Sequence, residues 1–190
     1  MLQVNYLAQV LLAHLLLPRL LASPAPRLLV VSSESHRFSL LDPAAPPSPA
    51  LLQPRLATFH PVLQYNDTKL LLLLFSRAVE ARLAGRGLTS LACHPGNLLP
   101  TRLHRHSLLH SALAALARPF TKSVEQAAAS LVFALCGEAE LLSQSGHVYI
   151  NNCFPCKPSP AACSDSMARL VWEYTLTELE TRLGPSWDKL

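Results

Sequence analysis

The chain is 190 residues long, with an apolar share of 50%, a charged share of 15% and a formal net charge of +4. Those values suit one domain with a sizeable core, and they exclude a disordered chain; without a dense basic run or many aromatics, nucleic acid is not an expected partner. The five cysteines, odd in number and irregularly spaced, fit a reducing compartment better than a disulfide framework, which predicts a cytoplasmic protein.

Residues 2–21 predict a helix that is apolar nearly all the way round and therefore buried. Its apolar run reaches only about 14 residues before Pro18 and Arg19, short of the roughly 20 that a membrane span needs, so no membrane span is expected. No basic segment precedes it, and Asn5, Gln9 and His14 interrupt it, which argues against a signal peptide. After the breaker Ser23-Pro24-Ala25-Pro26, residues 27–33 form a short continuous apolar run ending in Ser32 and Ser33. Such a run predicts a parallel strand covered on both faces. The proline-rich residues 41–61 predict a long loop, and residues 62–83 a strong helix stopped by Gly85-Arg86-Gly87.

A second strand is predicted at residues 88–93, leading into His94-Pro95-Gly96. A loop rich in Arg and His follows at 97–106, then a short helix at 107–117. Ser123 and Gln126 form a capping box for a helix ending near Cys136. His147-Val148-Tyr149-Ile150 reads as a third strand, and Ser159-Pro160 as the cap and first position of a terminal helix running to Leu183. Strand, helix, strand in this order predicts an α/β fold, with about three parallel strands and flanking helices.

The chemistry centres on Tyr65 and Lys69. Residues four apart share a helix face, so a phenol and an ammonium can converge on one point. A phenol ionises near pH ~10 when unperturbed, and a neighbouring positive charge favours its ionised form. Such a pair can give a proton to a carbonyl oxygen or take one from an alcohol. In a parallel sheet, ligands collect at the carboxyl ends of the strands. Ser32 and Ser33, Tyr65 and Lys69, and His94-Pro95-Gly96 all fall on that edge by topology.

This ordered set resembles the short-chain dehydrogenase/reductases, whose core is Asn, then Ser, then Tyr-x-x-x-Lys, with Pro-Gly after the following strand. The strings VVSSESHRF, HPGN, ARPFTKS and NNCFPCKPSP look like the branch related to the retinol dehydrogenases. The resemblance implies that Asn5 anchors a proton-relay water, Ser33 hydrogen-bonds the substrate carbonyl, Tyr65 is the general acid/base and Lys69 binds the nicotinamide ribose. It also implies that Pro95 and Gly96 border the nicotinamide ring and that Thr101 lies near the cofactor amide. NAD or NADP is the implied cofactor, and a small lipophilic alcohol or ketone, retinoid- or steroid-like, the implied substrate. Homodimers through the long helices and a cytoplasmic, nuclear or mitochondrial location are implied likewise.

One family feature is missing from the sequence. The six glycines contain no G-x-x-x-G-x-G or G-x-G-x-x-G, the turn that cradles the cofactor pyrophosphate. The expectation is the C-terminal half of a Rossmann-like doubly wound sheet. Residues 1–183 would form a partial domain lacking the dinucleotide-binding half, and 184–190 a tail. The first strand would then present an unpaired apolar edge. A chain of this kind is expected to be inactive alone; the alternative is a truncated, non-catalytic interaction or regulatory protein. Three further motifs carry less. Cys153-Phe154-Pro155-Cys156, with His147 and Cys163 nearby, reads as a loop rather than a metal or redox site. His104, Arg105, His106 and His110 read as solvated loop residues beside the substrate entrance, and the sequon at Asn66 is discounted because it lies inside the tyrosine-lysine stretch.

Overall fold

A computed structural model describes residues 1–42, 60–96, 122–137 and 148–184. A π-helical turn, Gln3–Leu7, opens directly into helix α1, Ala8–Leu21. Strand β1 is Arg27–Val31, followed by a 3-10 turn over Glu34–Phe38. Helix α2 is Pro61–Leu83, strand β2 Thr89–His94 and helix α3 Val124–Cys136. Strand β3, Val148–Asn151, turns back into β4, Phe154–Cys156, and helix α4, Asp165–Leu183, closes the described chain.

The sheet order is β1-β2-β3-β4, with β1/β2 and β2/β3 parallel and β3/β4 antiparallel. Helices cover both faces. Tyr6 and Leu7 of the π-helical turn, Val10 of α1, residues 70–75 of α2 and Val171 and Trp172 of α4 make the larger core on one face. Leu91, Cys93, Ala134 and Ile150 make a smaller one beneath α3.

Helix α2 is the spine. Pro61 supplies its first turn, where a missing N–H costs nothing, and His60 before it is extended, as the residue preceding a proline prefers. At the other end Gly87 adopts φ +81, a left-handed position that Gly takes without strain, and the Leu88 N–H reaches back to the Leu83 carbonyl. Its middle is buried on several sides, against β2 through a Ser76–Ser90 hydroxyl pair at 2.9 Å and against α4 through Phe75 stacked on Trp172.

Four expectations change. Helix α1 is not buried all round: Val4, Leu12, Leu15 and Leu16 are exposed, because α2 and α4 cover only one side of it. The helical run also continues through Pro18. Gln3–Leu21 is 19 residues with mean hydropathy 1.4, long and apolar enough by length and composition to cross a membrane, although Tyr6, Leu7, Val10 and Leu17 pack into the protein core. Strand β1 is covered on both faces as expected, by α2 against Leu28 and Val30 and by α3 on the side of Leu29, and what it leaves open is one edge. It pairs only with β2 among the described residues, and Val31 is 43% exposed. The Cys153–Cys156 stretch is a hairpin, not a loop. Asn152 and Cys153 both take positive φ, the two-residue turn whose twist suits a tight hairpin, and β4 pairs with β3. Finally, α4 is capped by Ser164, whose hydroxyl accepts the Met167 N–H, while Pro160 begins only a 3-10 turn. The capping box of Ser123 and Gln126 is present as expected.

Candidate active site

The stretch 64–69 at the start of α2 divides its side chains among three neighbours. Tyr65 and Lys69 share one face, with the Lys69 ammonium 5.5 Å from the centre of the Tyr65 ring. Asn66 and Asp67 turn the other way: the Asn66 amide donates to the Phe38 carbonyl at 3.2 Å, and Asp67 accepts the Ser39 hydroxyl at 2.6 Å. These bonds pin the turn after Ser33 to α2. Thr68, fully buried, donates to the Tyr65 carbonyl at 2.7 Å and lies 3.4 Å from the Asn5 amide, so it links Asn5 to the tyrosine. Buried in this way, Asn66 cannot serve as a glycosylation acceptor in the folded chain.

Asn5 lies in the π-helical turn, a local departure from α geometry that recurs at functional sites. Asn5, Tyr65 and Lys69 line one groove of about 460 Å³ between α1, α2 and the open edge of β1. Tyr65 is 37% exposed there, while the Lys69 ammonium donates to the Val31 carbonyl at 3.2 Å. Burial pulls the lysine below its ordinary range, because the charged form loses water. Ser32, also buried, donates to the Lys69 carbonyl at 2.8 Å and so fixes the lysine backbone against the end of β1.

Ser33 does not line the groove. It caps the Glu34–Phe38 turn, with its hydroxyl oxygen accepting the Ser35 N–H at 3.3 Å. Beneath that turn lies a polar cluster that sequence reasoning missed. The Tyr149 hydroxyl donates to Glu34 at 2.7 Å, and Arg37 pairs with the same carboxylate at 2.6 Å. Burial alone would raise the Glu34 carboxyl, but hydrogen bonds from Arg37 and Tyr149 and the Arg37 charge bring it below the ordinary range. Burial and the Glu34 contact push the Tyr149 phenol far up. His94, at the end of β2, is buried with Nδ1 unpartnered, and burial lowers its pKa. No signal of period or spacing points to Glu34, Arg37 or Tyr149, since they meet only when the strands stand side by side; His94 alone falls on the edge already expected from topology.

Pro95 and Gly96 follow β2 as expected. Gly96 has φ +121, a conformation that favours glycine, and a Cβ there would also displace the flexible Lys122 stem, 2.6 Å away. Thr101, His104, Arg105, His106, His110 and His147 lie outside the described residues. All five cysteines are free thiols, and no group of three or more His, Cys, Asp or Glu among the described residues could hold a metal ion.

No family model matches the chain. It is 41% identical over 96% of its length to the human WW domain-containing oxidoreductase and 39% identical to the chicken protein of that name. It is also 33% identical over 99% of its length to bovine dehydrogenase/reductase SDR family member 13. Among solved structures, it resembles that of an uncharacterized protein from Mycobacterium paratuberculosis, with a TM-score of 0.57 and 25% identity, over 91% of this chain and 56% of the other. The chain spans 44% of the length of the WW domain-containing oxidoreductases it matches. By these relationships the chain, an α/β fold, belongs to the short-chain dehydrogenase/reductase family.

Proposed function

We propose that residues 1–183 carry the acid/base half of a nicotinamide-dependent oxidoreductase acting on lipophilic alcohols or ketones, and that this chain alone turns over little or no substrate. The observation that carries the reading is the single groove shared by Asn5, Tyr65 and Lys69 at the carboxyl edge of a parallel sheet. Tyr65 gives its phenolic proton to the carbonyl oxygen in reduction and takes the alcohol proton in oxidation. Ser33, outside the groove and capping the next turn, is assigned the second hydrogen bond to that oxygen on the family likeness alone; its hydroxyl hydrogen is not used by the bond it accepts from Ser35. Asn5 holds a water that returns the proton. The cofactor, NAD or NADP, supplies the hydride when bound. Lys69, whose ammonium is a donor at the groove, would hold its ribose end, and Pro95 and Gly96 after β2 would border its ring. No glycine-rich turn in the sequence fits its pyrophosphate. The apolar lining of the groove, from Val4, Leu12, Leu16 and Leu28, and the retinol dehydrogenase 12 relatives at 31–32% identity support a lipophilic substrate.

The test pairs this chain with the upstream, cofactor-binding half of the human relative. The assembled pair should reduce lipophilic ketones with NADH or NADPH, and Tyr65→Phe should abolish it. A folded pair without turnover, or turnover that survives the substitution, overturns the reading. Calorimetric titration of the chain alone should show no binding of either cofactor in the micromolar range; binding there overturns the proposed inactivity. The exposed apolar face of α1 beside the open edge of β1 favours a second reading, a non-catalytic protein that pairs with its own copy. Light scattering showing a stable dimer, together with failure of the complementation, would favour it.

A further inference from the structure

The turn carrying Ser33 is held by a histidine whose two ring nitrogens are both engaged. His36 is 1% exposed. Its Nδ1 lies 2.6 Å from the Ser33 carbonyl oxygen, and its Nε2 lies 3.1 Å from the backbone nitrogen of Ser159, far along the chain. The partners fix the proton. A carbonyl can only accept, so Nδ1 carries hydrogen; a backbone N–H can only donate, so Nε2 is bare. Only the neutral Nδ1–H tautomer satisfies both. Around it, the Tyr149 ring meets the imidazole edge-on at 5.2 Å, and Arg37 donates to the Lys157 carbonyl at 2.8 Å. The Ser33 turn is thereby joined to β3 and to the segment before α4.

We propose that His36 is a positioning residue: as its neutral Nδ1–H tautomer it clamps the Ser33 carbonyl to the Ser159 amide, and so sets the direction in which the Ser33 hydroxyl meets a substrate carbonyl. The substrate half of this statement rests on the oxidoreductase reading above; the clamp does not. Protonation would place a hydrogen on Nε2 facing the Ser159 N–H, so that two donors oppose each other and the clamp opens. The groups facing the ring are Glu34 and Arg37 on its own turn, Tyr149 on β3 and His94 on β2. Burial first, and then Arg37, outweigh the Ser33 carbonyl and Glu34, so His36 protonates below the ordinary histidine range. The clamp is closed at neutral pH and opens on the acid side.

Nuclear magnetic resonance of the full chain tests this. Long-range proton–nitrogen spectra at neutral pH should show His36 as the Nδ1–H tautomer. On acid titration, the His36 nitrogens and the Ser33 carbonyl carbon should move with one midpoint, and Ser159 amide exchange should lose protection by about tenfold at that midpoint. An Nε2–H tautomer, or a titration that leaves Ser33 and Ser159 unmoved, overturns the clamp. His36→Gln, whose amide can still accept from Ser159, should retain protection and lose its pH dependence, while His36→Ala should lose both, with circular dichroism confirming that each folds. Decalone, a bicyclic ketone, should perturb the Ser33 amide at neutral pH and cease to do so once the clamp opens. A ketone response unchanged by opening overturns the positioning role. Absence of any response at neutral pH, with the clamp intact, instead overturns the oxidoreductase reading.

Discussion

Tyr65 and Lys69 are legible in the sequence because a helix places residues four apart on one face whatever surrounds it. The roles of Ser32 and His36 are not, because each acts on a backbone group far along the chain, and that pairing exists only after the chain has folded. Two substitutions separate these kinds of residue. Tyr65→Phe, at a partly exposed position, should shift the urea midpoint by no more than the equivalent of about 0.5 kcal/mol. Gly96→Ala should destabilise by roughly 1–3 kcal/mol, since alanine at φ +121 is strained and its Cβ displaces the Lys122 stem. A Gly96→Ala chain of unchanged stability would contradict the strain expected at φ +121.

At the scale of elements, hydrophobic periodicity located the described helices well, and erred where an element's character depends on its neighbours. Helix α1 reads as buried because apolar residues surround it, yet only the side bearing Tyr6 and Val10 meets α2 and α4. Strand β4 was unreadable because three residues containing a proline carry no strand pattern; its pairing to β3 and its place at the sheet edge make it one. The two sides of α1 predict opposite outcomes. Tyr6 donates to Thr175 at 2.6 Å, and Thr175 in turn donates to the Val171 carbonyl, so Tyr6→Phe should cost about 1–2 kcal/mol in urea unfolding. On the open side, Leu12→Glu with Leu16→Lys should leave stability within about 0.5 kcal/mol and reduce self-association seen by light scattering.

For the whole molecule, the polar cluster beneath the sheet edge sets the response to acid. Glu34, His36 and His94 all have folded-state pKa values lowered from 4.5, 6.5 and 6.5. A lowered value means that the unfolded chain takes up protons first, so each contribution is complete above the unfolded pKa and is lost as pH falls through the folded one. Urea midpoints should therefore be flat from pH 6.5 up to the alkaline range where the buried cysteine, tyrosine and lysine titrate. They should decline below 6.5 as the two histidines charge, and change again below 4.5 as Glu34 protonates, with Glu80, raised by burial, opposing that last fall. A flat profile across the upper step would contradict the buried, neutral histidines. Helix α2 bears on mechanics in another way. Sliding a helix by one turn moves it about 5.4 Å, and α2 is enclosed by sheet, α1 and α4, with residues 70–74 almost wholly buried. Such a shift would open the core. Tyr65 and Lys69 therefore ride on the least movable part of the molecule, and since Asn66, Asp67 and His36 also hold the Ser33 turn, accommodation of a bulkier ligand falls to the exposed side of α1.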